Sequence, residues 1–464
     1  MSAKRIAIAA AALVVLIVAV LLLASSTPSV SLDPSVKIVG TLTPMSVNVV
    51  SRHGIRRLDV YIEQNGARVE AGRLTWPSSR VWFWLHKRAP AQYALKAGSK
   101  TAPGIKDGPA TLIIEATAND LRGSTATLRR PVTIATGPPM VSADGEQHYI
   151  NQGGSEVVRI DPSGYWTEAG VRVGKYTFRS FPMPNGTGRF AIYAYPWDLP
   201  PDVVPTAFAR NPTGAEATAS FAYKLFPKPP RKRDFDLTDD VMRRLVEQIA
   251  PGGSGDLLSR FLAINRDMRR ENNATLAALR DKTQPRFLFT KPFRQQPDSK
   301  VESVFADVRS YMYHGKKVDE EVHLGFDLSI TQHVPVLAAN DGIVVFAERL
   351  GIYGNCVVVD HGYGIQSIYG HLSEIAVKPG DAVKQGQAMG RSGSTGLALG
   401  DHIHFSMQVD GVEVNPVEWW DGHWLQDHVW SRLGVAGAQS SNASAATAGA
   451  GAGPAAKHRR RRRR

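Results

Sequence analysis

The most informative stretch of the C-terminal third is residues 400–405, which read Gly-Asp-His-Ile-His-Phe. Alternate residues of a β-strand point to the same side of a sheet, so this pattern predicts that His402 and His404 face one surface together. One imidazole could then bind a metal ion while the other faced whatever occupied an open coordination position. The pair alone does not establish a metal site, because His-x-His pairs are frequent by chance.

A second element lies upstream at residues 323–327, which read His-Leu-Gly-Phe-Asp. On a straight strand His323 and Asp327 would be about 13 Å apart, at ~3.3 Å per residue. They can share a metal ion only if the chain bends between them, which Gly325 permits. His371, after a predicted strand, adds a further imidazole. These residues fit a metal-dependent hydrolase, since two imidazoles, one carboxylate and a water form an established catalytic zinc arrangement.

Between Phe305 and Trp420 the sequence resembles the LytM/lysostaphin-type zinc metallopeptidases. The resemblance rests on many motifs in one order, which makes it far more specific than any single motif. Ala306 departs from it, because the family often has glycine after the phenylalanine. Beyond the two histidine motifs, the matching positions are Pro335-Val336, Asp341-Gly342, Tyr353-Gly354-Asn355, His361-Gly362, Tyr369-x-His371-Leu372-Ser373, Gly380-Asp381, Gly393-x-Thr395-Gly396 and Val414-Asn415-Pro416.

The resemblance implies a compact, mostly antiparallel β-module with a groove and with Zn2+ as its cofactor. The metal ligands that it implies are His323, Asp327 and His404. The catalytic residues that it implies are His371 and His402, of which His402 resembles the general base. Enzymes of this family cut peptide bonds in the stems or cross-bridges of peptidoglycan. All five positions hold the required residue types, which favours an active enzyme over the degenerate relatives that only activate amidases.

Other conspicuous residues of this segment have simpler interpretations. His361 precedes Gly362 and is expected to lie in a turn. Cys356 belongs to an apolar run and is expected to be a small core residue. The glycines of residues 390–396 are expected in turns, because the Lys-Ser/Thr of a phosphate loop does not follow them.

The first thirty residues set the expected compartment. Residues 6–24 are an uncharged apolar run that nearly spans a ~30 Å hydrocarbon core at ~1.5 Å per residue. Lys4 and Arg5 precede the run, and no Lys or Arg follows until Lys37. The positive-inside rule therefore predicts that residues 1–25 are a cytoplasmic stub and a transmembrane anchor.

Two other interpretations of this run stay open. Ala24-Ser25-Ser26 is a passable cleavage site for a signal peptide, and a buried core helix would also be apolar. Both the anchor and the signal peptide export the rest of the chain. The expected location is the bacterial inner membrane, crossed once, with the body in the periplasm or extracytoplasmic space.

The exported body is expected to be mainly β. Two segments, 36–137 and 138–226, have short candidate strands separated by Gly, Pro, Asn and Asp, a pattern typical of immunoglobulin-like β-sandwich domains. Residues 81–85, which read Val-Trp-Phe-Trp-Leu, are predicted to be a core strand. A helical segment is predicted at 235–283, where apolar residues recur at helical spacing. The metallopeptidase module takes residues 284–421.

Composition and charge narrow the function further. The chain has 464 residues and one cysteine, which excludes a disulfide framework and a Cys-rich zinc site. The chain has 55 Lys and Arg against 42 Asp and Glu. The strongest positive cluster ends the tail 434–464. This tail is rich in Ala, Gly and Ser and is expected to be disordered. Its Arg459–Arg464 run is expected to be solvated or to contact anionic wall polymers or lipids. No nucleic-acid partner is expected, because no stacking aromatics accompany the run.

The sequence therefore predicts a membrane-anchored envelope zinc metalloendopeptidase that hydrolyses peptide bonds of peptidoglycan through a zinc-activated water. An alternative of a different class is a non-catalytic regulator whose groove binds and activates another cell-wall hydrolase. A third interpretation is wall binding, in which the β-domains and the arginine tail carry the function.

Overall fold

The computed structural model describes residues 3–33, 36–78, 82–85 and 88–435. The predicted mainly β architecture is confirmed, with an apolar helix, α1 (Ala3–Ala24), ahead of the strands. In the described part of the chain, Lys4–Ala24 is the helix that is long and apolar enough to cross a membrane, a test that a signal sequence also passes. Nearly all of the predicted tail, including Arg459–Arg464, lies outside the described residues.

The chain divides into two units. The first comprises Met1–Ser142, Asp161–Ala169 and Ala207–Ala219. The second comprises Ala143–Ile160, Gly170–Thr206 and Ser220–Arg464.

The first unit has two sheets, of strand order β1-β3-β6 and β2-β8-β7-β4-β5. Apolar side chains from both sheets, among them Val47, Leu58 and Ile114, form one buried core. The strands are β1 (Ser29–Leu32), β2 (Ile38–Val39), β3 (Thr43–Val50), β4 (Ile55–Gln64), β5 (Ala67–Thr75), β6 (Ala91–Ala97), β7 (Gly108–Ala118) and β8 (Thr125–Ile134).

The predicted core strand at residues 81–85 is wrong for the residues that the structure describes. Phe83–Leu85 form a 3-10 turn, in which Phe83 is buried while Trp82 and Leu85 are 61% and 64% exposed. A short run of consecutive apolar residues does not distinguish a strand from a helical turn, because it lacks the alternation that marks a half-buried strand.

Short strands continue along the chain after β8. Within the second unit, β11 pairs antiparallel with β14, β14 with β13 and β13 with β12, while β10 and β17 are parallel. The immunoglobulin-like assignment of the segments 36–137 and 138–226 remains a prediction. The strands are β9 (Met140–Ala143), β10 (His148–Asn151), β11 (Ser155–Ser163), β12 (Glu168–Val173), β13 (Tyr176–Pro182), β14 (Arg189–Ala194), β15 (Thr206–Arg210), β16 (Glu216–Ser220) and β17 (Tyr223–Phe226).

Helices follow β18 (Lys232–Asp236). The first of them begins where the Thr238 side chain accepts a hydrogen bond from the Val241 amide, with Asp239 next to it at the positive end of the helix dipole. Its Met242, Leu245 and Val246 are buried, so one apolar face packs inward. The helices are α2 (Asp239–Ile249), α3 (Leu257–Leu262), a π-helical stretch (Ala263–Met268), α4 (Arg269–Ala278) and a 3-10 turn (Leu279–Lys282).

A sheet of order β19-β22-β30-β26-β25-β24-β28 forms the centre of the C-terminal region, and all of its pairs are antiparallel. Every residue of β26 is buried, which makes this strand the middle of the layer. The strands are β19 (Lys300–Ser303), β20 (Asp307–Tyr313), β21 (Lys316–His323), β22 (Phe326–Ser329), β23 (Pro335–Leu337), β24 (Gly342–Leu350), β25 (Gly354–Gly362), β26 (Ile365–Leu372), β27 (Glu374–Ile375), β28 (Ala382–Val383), β29 (Ala388–Arg391), β30 (Ile403–Val409) and β31 (Val412–Val414).

Short helices complete the region. A 3-10 turn connects β24 to β25, and the rest follow β31. They are the 3-10 turn Gly351–Tyr353, α5 (Pro416–Trp420), α6 (Gly422–Leu425), a π-helical stretch (Gln426–Trp430) and α7 (Ser431–Leu433).

Candidate metal centre

Three neighbouring strands bring the predicted site residues to one end of the central sheet. Asp327 on β22 is directly opposite His404 on β30, and His404 is opposite Gly370 on β26, next to His371. His323 is the last residue of β21. The pairing register of β22, β30 and β26 therefore places side chains that are far apart in the sequence around one point.

The chain bends at Gly325, where the sequence required a bend. A β-carbon there would be 2.5 Å from Ser406 Oγ and 2.7 Å from His404 Cε1, so only glycine fits without movement of the site. Because of the bend, His323 Nε2 lies 2.9 Å from Asp327 Oδ1. Four residues of straight strand would have separated the two side chains by about 13 Å.

The donor atoms of His323, Asp327 and His404 form a compact triangle. His323 Nε2 is 3.1 Å from His404 Nδ1, which is 3.3 Å from Asp327 Oδ1. In the part of the chain that the structure describes, these residues are the one trio of His, Cys, Asp or Glu with donor atoms within 4.8 Å of one another. Ligands bound tetrahedrally at 2.0–2.1 Å are about 3.3–3.4 Å apart, so the triangle fits a zinc ion with little adjustment.

Each of the three side chains is aimed by a second hydrogen bond. His323 Nδ1 donates to the Val304 carbonyl at 3.1 Å, which leaves the lone pair of Nε2 directed at the triangle. His404 Nε2 is 2.8 Å from Ser406 Oγ, whose hydroxyl donates to the Leu324 carbonyl. This chain of bonds assigns the hydrogen of His404 to Nε2 and its lone pair to Nδ1.

Arg309 holds the carboxylate of the trio. Its Nη2 donates to Asp327 Oδ2 at 2.6 Å, opposite the oxygen that faces the imidazoles. Burial raises the pKa of the Asp327 carboxyl, but the surrounding imidazoles, His323 first among them, outweigh it and hold that pKa well below its usual range. Burial lowers the pKa of His404 to about 4, so its imidazole is neutral at pH 7, as a metal ligand must be.

His371 and His402 lie beside the trio, with ring centroids 4.7 Å apart. His371 Nδ1 donates to the Thr395 carbonyl at 2.8 Å and His402 Nδ1 to the Gly400 carbonyl at 2.9 Å. With Nδ1 as the donor, the neutral form of each imidazole has its lone pair on Nε2. His402 Nε2 is 3.5 Å from Asp327 Oδ1, which places it at the edge of the triangle.

The environments of these two imidazoles differ. Burial, followed by the neighbouring His402 and His404, lowers the pKa of His371 well below its usual value. Burial also opposes charge on His402, but Asp327 outweighs it and raises the pKa of His402. His371 has a φ of 66°, a left-handed conformation that a non-glycine residue rarely adopts and that is concentrated at functional sites.

The helical segment forms one wall of the cavity that contains this centre. The cavity has a volume of about 190 Å³, and Phe235, Leu245, Phe261 and Asn273 line it together with the five site residues. The hydroxyl of Tyr353, which also lines the cavity, donates to Asn273 Oδ1 at 3.0 Å. The helices therefore cover a centre whose histidines His323, His371 and His404 are only 5–6% exposed.

Sequence reasoning missed Arg309 and misplaced His361. Nothing in the sequence distinguishes Arg309 from other arginines on a half-buried strand. His361 is not in a turn but is fully buried in β25, where its Nδ1 donates to the Asp341 carbonyl at 2.7 Å and Ser367 Oγ lies 2.7 Å from Nε2. Cys356 is a buried core residue, as predicted.

Comparison with known proteins identifies this region. Residues 321–416 match the family described as Peptidase family M23. The DD-carboxypeptidase/endopeptidase Mpg of Neisseria meningitidis is 40% identical over 96 residues, and the match covers 21% of this chain and 22% of that protein. The Stage II sporulation protein Q of Bacillus subtilis is 41% identical over 88 residues, 18% of this chain and 31% of that protein.

A solved structure of the catalytic domain of the antimicrobial peptidase lysostaphin, from Staphylococcus simulans, is 29% identical to the region that it matches. That match covers 26% of this chain and 92% of the lysostaphin chain, with a TM-score of 0.24. The chain carries an M23 peptidase domain. The domain is of the LytM/lysostaphin type, and the chain covers about a fifth of the length of the Neisseria relative.

Proposed function

We propose that this protein is a membrane-anchored zinc endopeptidase of the bacterial cell envelope that hydrolyses peptide bonds in peptidoglycan stem peptides or cross-links. The observation that carries the proposal is the convergence of His323, Asp327 and His404 on one point, with two further imidazoles beside them. The M23 match and the relative named as a DD-carboxypeptidase/endopeptidase support the same substrate class.

In this proposal His323 Nε2, Asp327 Oδ1 and His404 Nδ1 hold the zinc ion. When bound, zinc supplies Lewis acidity to water and to the scissile carbonyl. His402 is the general base, because Nε2 carries its lone pair and lies at the edge of the ligand triangle. His371 keeps its Nδ1 hydrogen on the Thr395 carbonyl, so its Nε2 lone pair can accept a hydrogen bond from the leaving amine and help to stabilise it.

The anchor is α1. A helix of the 21 residues Lys4–Ala24 is about 32 Å long at ~1.5 Å per residue, enough for a ~30 Å hydrocarbon core. We place the protein in the inner membrane, with a single crossing and the M23 domain on the extracytoplasmic side. The Arg459–Arg464 run adds contact with anionic wall polymers or lipids in this proposal.

Digestion of purified peptidoglycan tests the proposal. The zinc-loaded, detergent-solubilised full chain should release soluble peptides, identified by mass spectrometry, from at least one of several peptidoglycan chemotypes. His402→Gln should reduce release about 10²–10⁴-fold, the usual contribution of a general base. His423→Gln replaces an exposed histidine of the same region and should leave release unchanged. No release from any chemotype, or equal release by the His402 variant, would contradict the proposal.

One observation favours a second candidate function. The helical segment forms a wall of the cavity and Asn273 accepts a hydrogen bond from Tyr353 beside the metal centre, an arrangement that also suits a domain that binds a partner without hydrolysis. In that case the chain would activate another wall hydrolase. Stimulation of a purified wall amidase that survives the substitution His404→Ala would favour the regulator over the enzyme.

A further inference from the structure

An aromatic turn projects from the first unit into solvent. Trp82 is 61% exposed, Trp84 37% and Leu85 64%. The turn is held in place by Phe83, which is fully buried and packs edge-on against His53 with ring centroids 4.8 Å apart. Three large apolar side chains exposed together on a supported turn are characteristic of an interaction surface, whereas a single exposed one needs no explanation.

The turn lies at the same end of the sandwich as the apolar helix. The amide of Arg88 donates a hydrogen bond to the carbonyl of Arg52 at 3.2 Å. Arg52 belongs to the β3–β4 loop, which also contains His53. Its Gly54 carbonyl accepts the Asn119 amide of the β7–β8 loop at 3.0 Å. These bonds connect the aromatic turn, the β3–β4 loop and the β7–β8 loop into one face, called here the helix end.

The end of α1 is bonded to this face. Asp120 Oδ2 accepts the Ser26 amide at 2.9 Å, and Arg122 Nη2 donates to the Leu22 carbonyl at 2.9 Å. The chain therefore leaves α1 directly into the helix end, with no free linker between them. The bond from Asn119, next to Asp120, to the Gly54 carbonyl connects this end of α1 to the loop that supports the aromatic turn.

The charges of the helix end are nearly all of one sign. Arg52, Arg88 and Arg122 are exposed at its surface. Among the residues of these loops that the structure describes, the acidic one is Asp120. It is buried, and its carboxylate accepts hydrogen bonds from the amides of Ser26 and Gly123. Tryptophan with arginine is the combination that suits the headgroup layer of a bilayer, where the indole ring bridges apolar and polar zones and the guanidinium meets lipid phosphate.

We infer that the helix end is a membrane-docking surface, in which Trp82, Trp84 and Leu85 enter the headgroup layer of the bilayer that α1 crosses. The occupant is the extracytoplasmic leaflet, with its anionic lipids facing Arg52, Arg88 and Arg122. The inference rests on the proposed anchor and adds a second attachment to it, because Trp82, Trp84 and Leu85 would hold the first unit against the bilayer beside α1. Docking fixes the sandwich upright on the membrane.

Site-specific fluorescence in vesicles tests this inference. The full chain is reconstituted in phosphatidylethanolamine–phosphatidylglycerol vesicles, with an environment-sensitive fluorophore on Leu85→Cys. Native Cys356 is fully buried and should not be labelled in the folded protein. The matched control is Leu42→Cys, which replaces a 39% exposed leucine. Leu42 precedes β3 at the end opposite the β3–β4 loop, and the strand between them is about 25 Å long at ~3.3 Å per residue.

We expect lipid carrying a headgroup-level quencher to reduce the emission of the label at position 85 at least about twofold more than at position 42. Aqueous iodide should quench the label at position 42 more strongly than the label at position 85. Equal exposure of both labels to iodide, in a chain that still floats with the vesicles at high salt, would overturn the docking inference and leave the anchor standing. A chain that does not float with the vesicles would overturn the anchor and the inference together.

Discussion

At the scale of single residues, the candidate metal centre is supported by side chains outside the trio of proposed ligands. Arg309 is the clearest example, because it is bonded to the Asp327 oxygen that faces away from the imidazoles. Without it, the carboxylate would lose the partner that fixes its orientation. Residues of this kind usually change metal affinity by 10–100-fold when they are removed.

We therefore expect Arg309→Gln to weaken zinc binding by about 10–100-fold without loss of the folded state. Competition with a chromophoric chelator measures the affinity. Arg294→Gln replaces an exposed arginine of the same region and should bind zinc like the wild type. Equal affinities for the two variants would show that Asp327 needs no support from Arg309.

A second residue-scale prediction concerns pH and His361. Burial lowers the pKa of His361 to about 4, so the stability that this group contributes is complete above its unfolded pKa of about 6.5 and is lost as the pH falls toward 4. The wild type should be more stable than His361→Gln at pH 7.5, because the glutamine does not reproduce both buried hydrogen bonds. Its advantage should shrink by about 2 kcal/mol by pH 5.

Urea unfolding at a series of pH values measures this difference. His423→Gln is the control, since it replaces an exposed histidine of the same region and should leave the free energy of unfolding unchanged. A constant difference between the wild type and His361→Gln from pH 7.5 to 5 would mean that His361 is not kept neutral by the fold.

The convergence of His323, Asp327 and His404 could be predicted from the sequence because their spacing limits where their side chains can meet. His402 and His404 alternate on a strand, and Gly325 permits the bend that His323 and Asp327 require. Arg309 could not be identified, because its role depends on the register of β20 against β21, and no spacing within one strand determines that register.

At the scale of secondary-structure elements, the helical segment lines the cavity of the site and is bonded to both of its sides. Asp319 on β21 accepts Asn265 Nδ2 at 2.8 Å and Arg266 Nε at 2.9 Å, both from the π-helical stretch between α3 and α4. Gln248 on α2 donates to the Ser394 and Gly396 carbonyls on the other side of the groove. We expect these contacts to limit the access of a peptide to the candidate metal centre.

We expect Asp319→Ala to raise the rate of peptide release, because it removes two of these contacts while leaving all five site residues in place. Loss of about 1.4 kcal/mol from the closed arrangement would make the increase about tenfold. Release from peptidoglycan at limiting substrate measures it. Asp267→Ala, on the same π-helical stretch but paired only with Arg270 at the surface, is the control. An unchanged or lower rate in Asp319→Ala would exclude the helices as a barrier.

The position of these helices could not be predicted from the sequence. Helical spacing predicts that Leu245 and Val246 are buried, but it does not say against which surface. At residues 82–85 the sequence also failed to predict burial, because apolar residues expected in the core are exposed. Its apolar composition indicated a core strand, whereas only Phe83 is buried and its neighbours face solvent.

At the scale of the whole molecule, the chain combines an apolar helix, regions of short β-strands and an M23 domain. The family match covers residues 321–416, and the sequence alone was specific enough to identify that domain. The β-domains have no comparable motif, since short alternating strands occur in many unrelated sandwiches. The sequence therefore assigns the β-domains no specific activity.

The central claim is that one metal ion is held by three side chains of the M23 domain. Zinc K-edge X-ray absorption on the zinc-loaded full chain tests this claim. Metal analysis of Asp327→Asn accompanies it, with Asp427→Asn as the control because Asp427 is an exposed aspartate of the same unit. We expect one zinc per chain, with imidazole scattering and metal–ligand distances of about 2.0–2.2 Å. This zinc should be lost in Asp327→Asn and retained in Asp427→Asn. Zinc bound equally by both variants, or a spectrum without imidazole ligands, would contradict it.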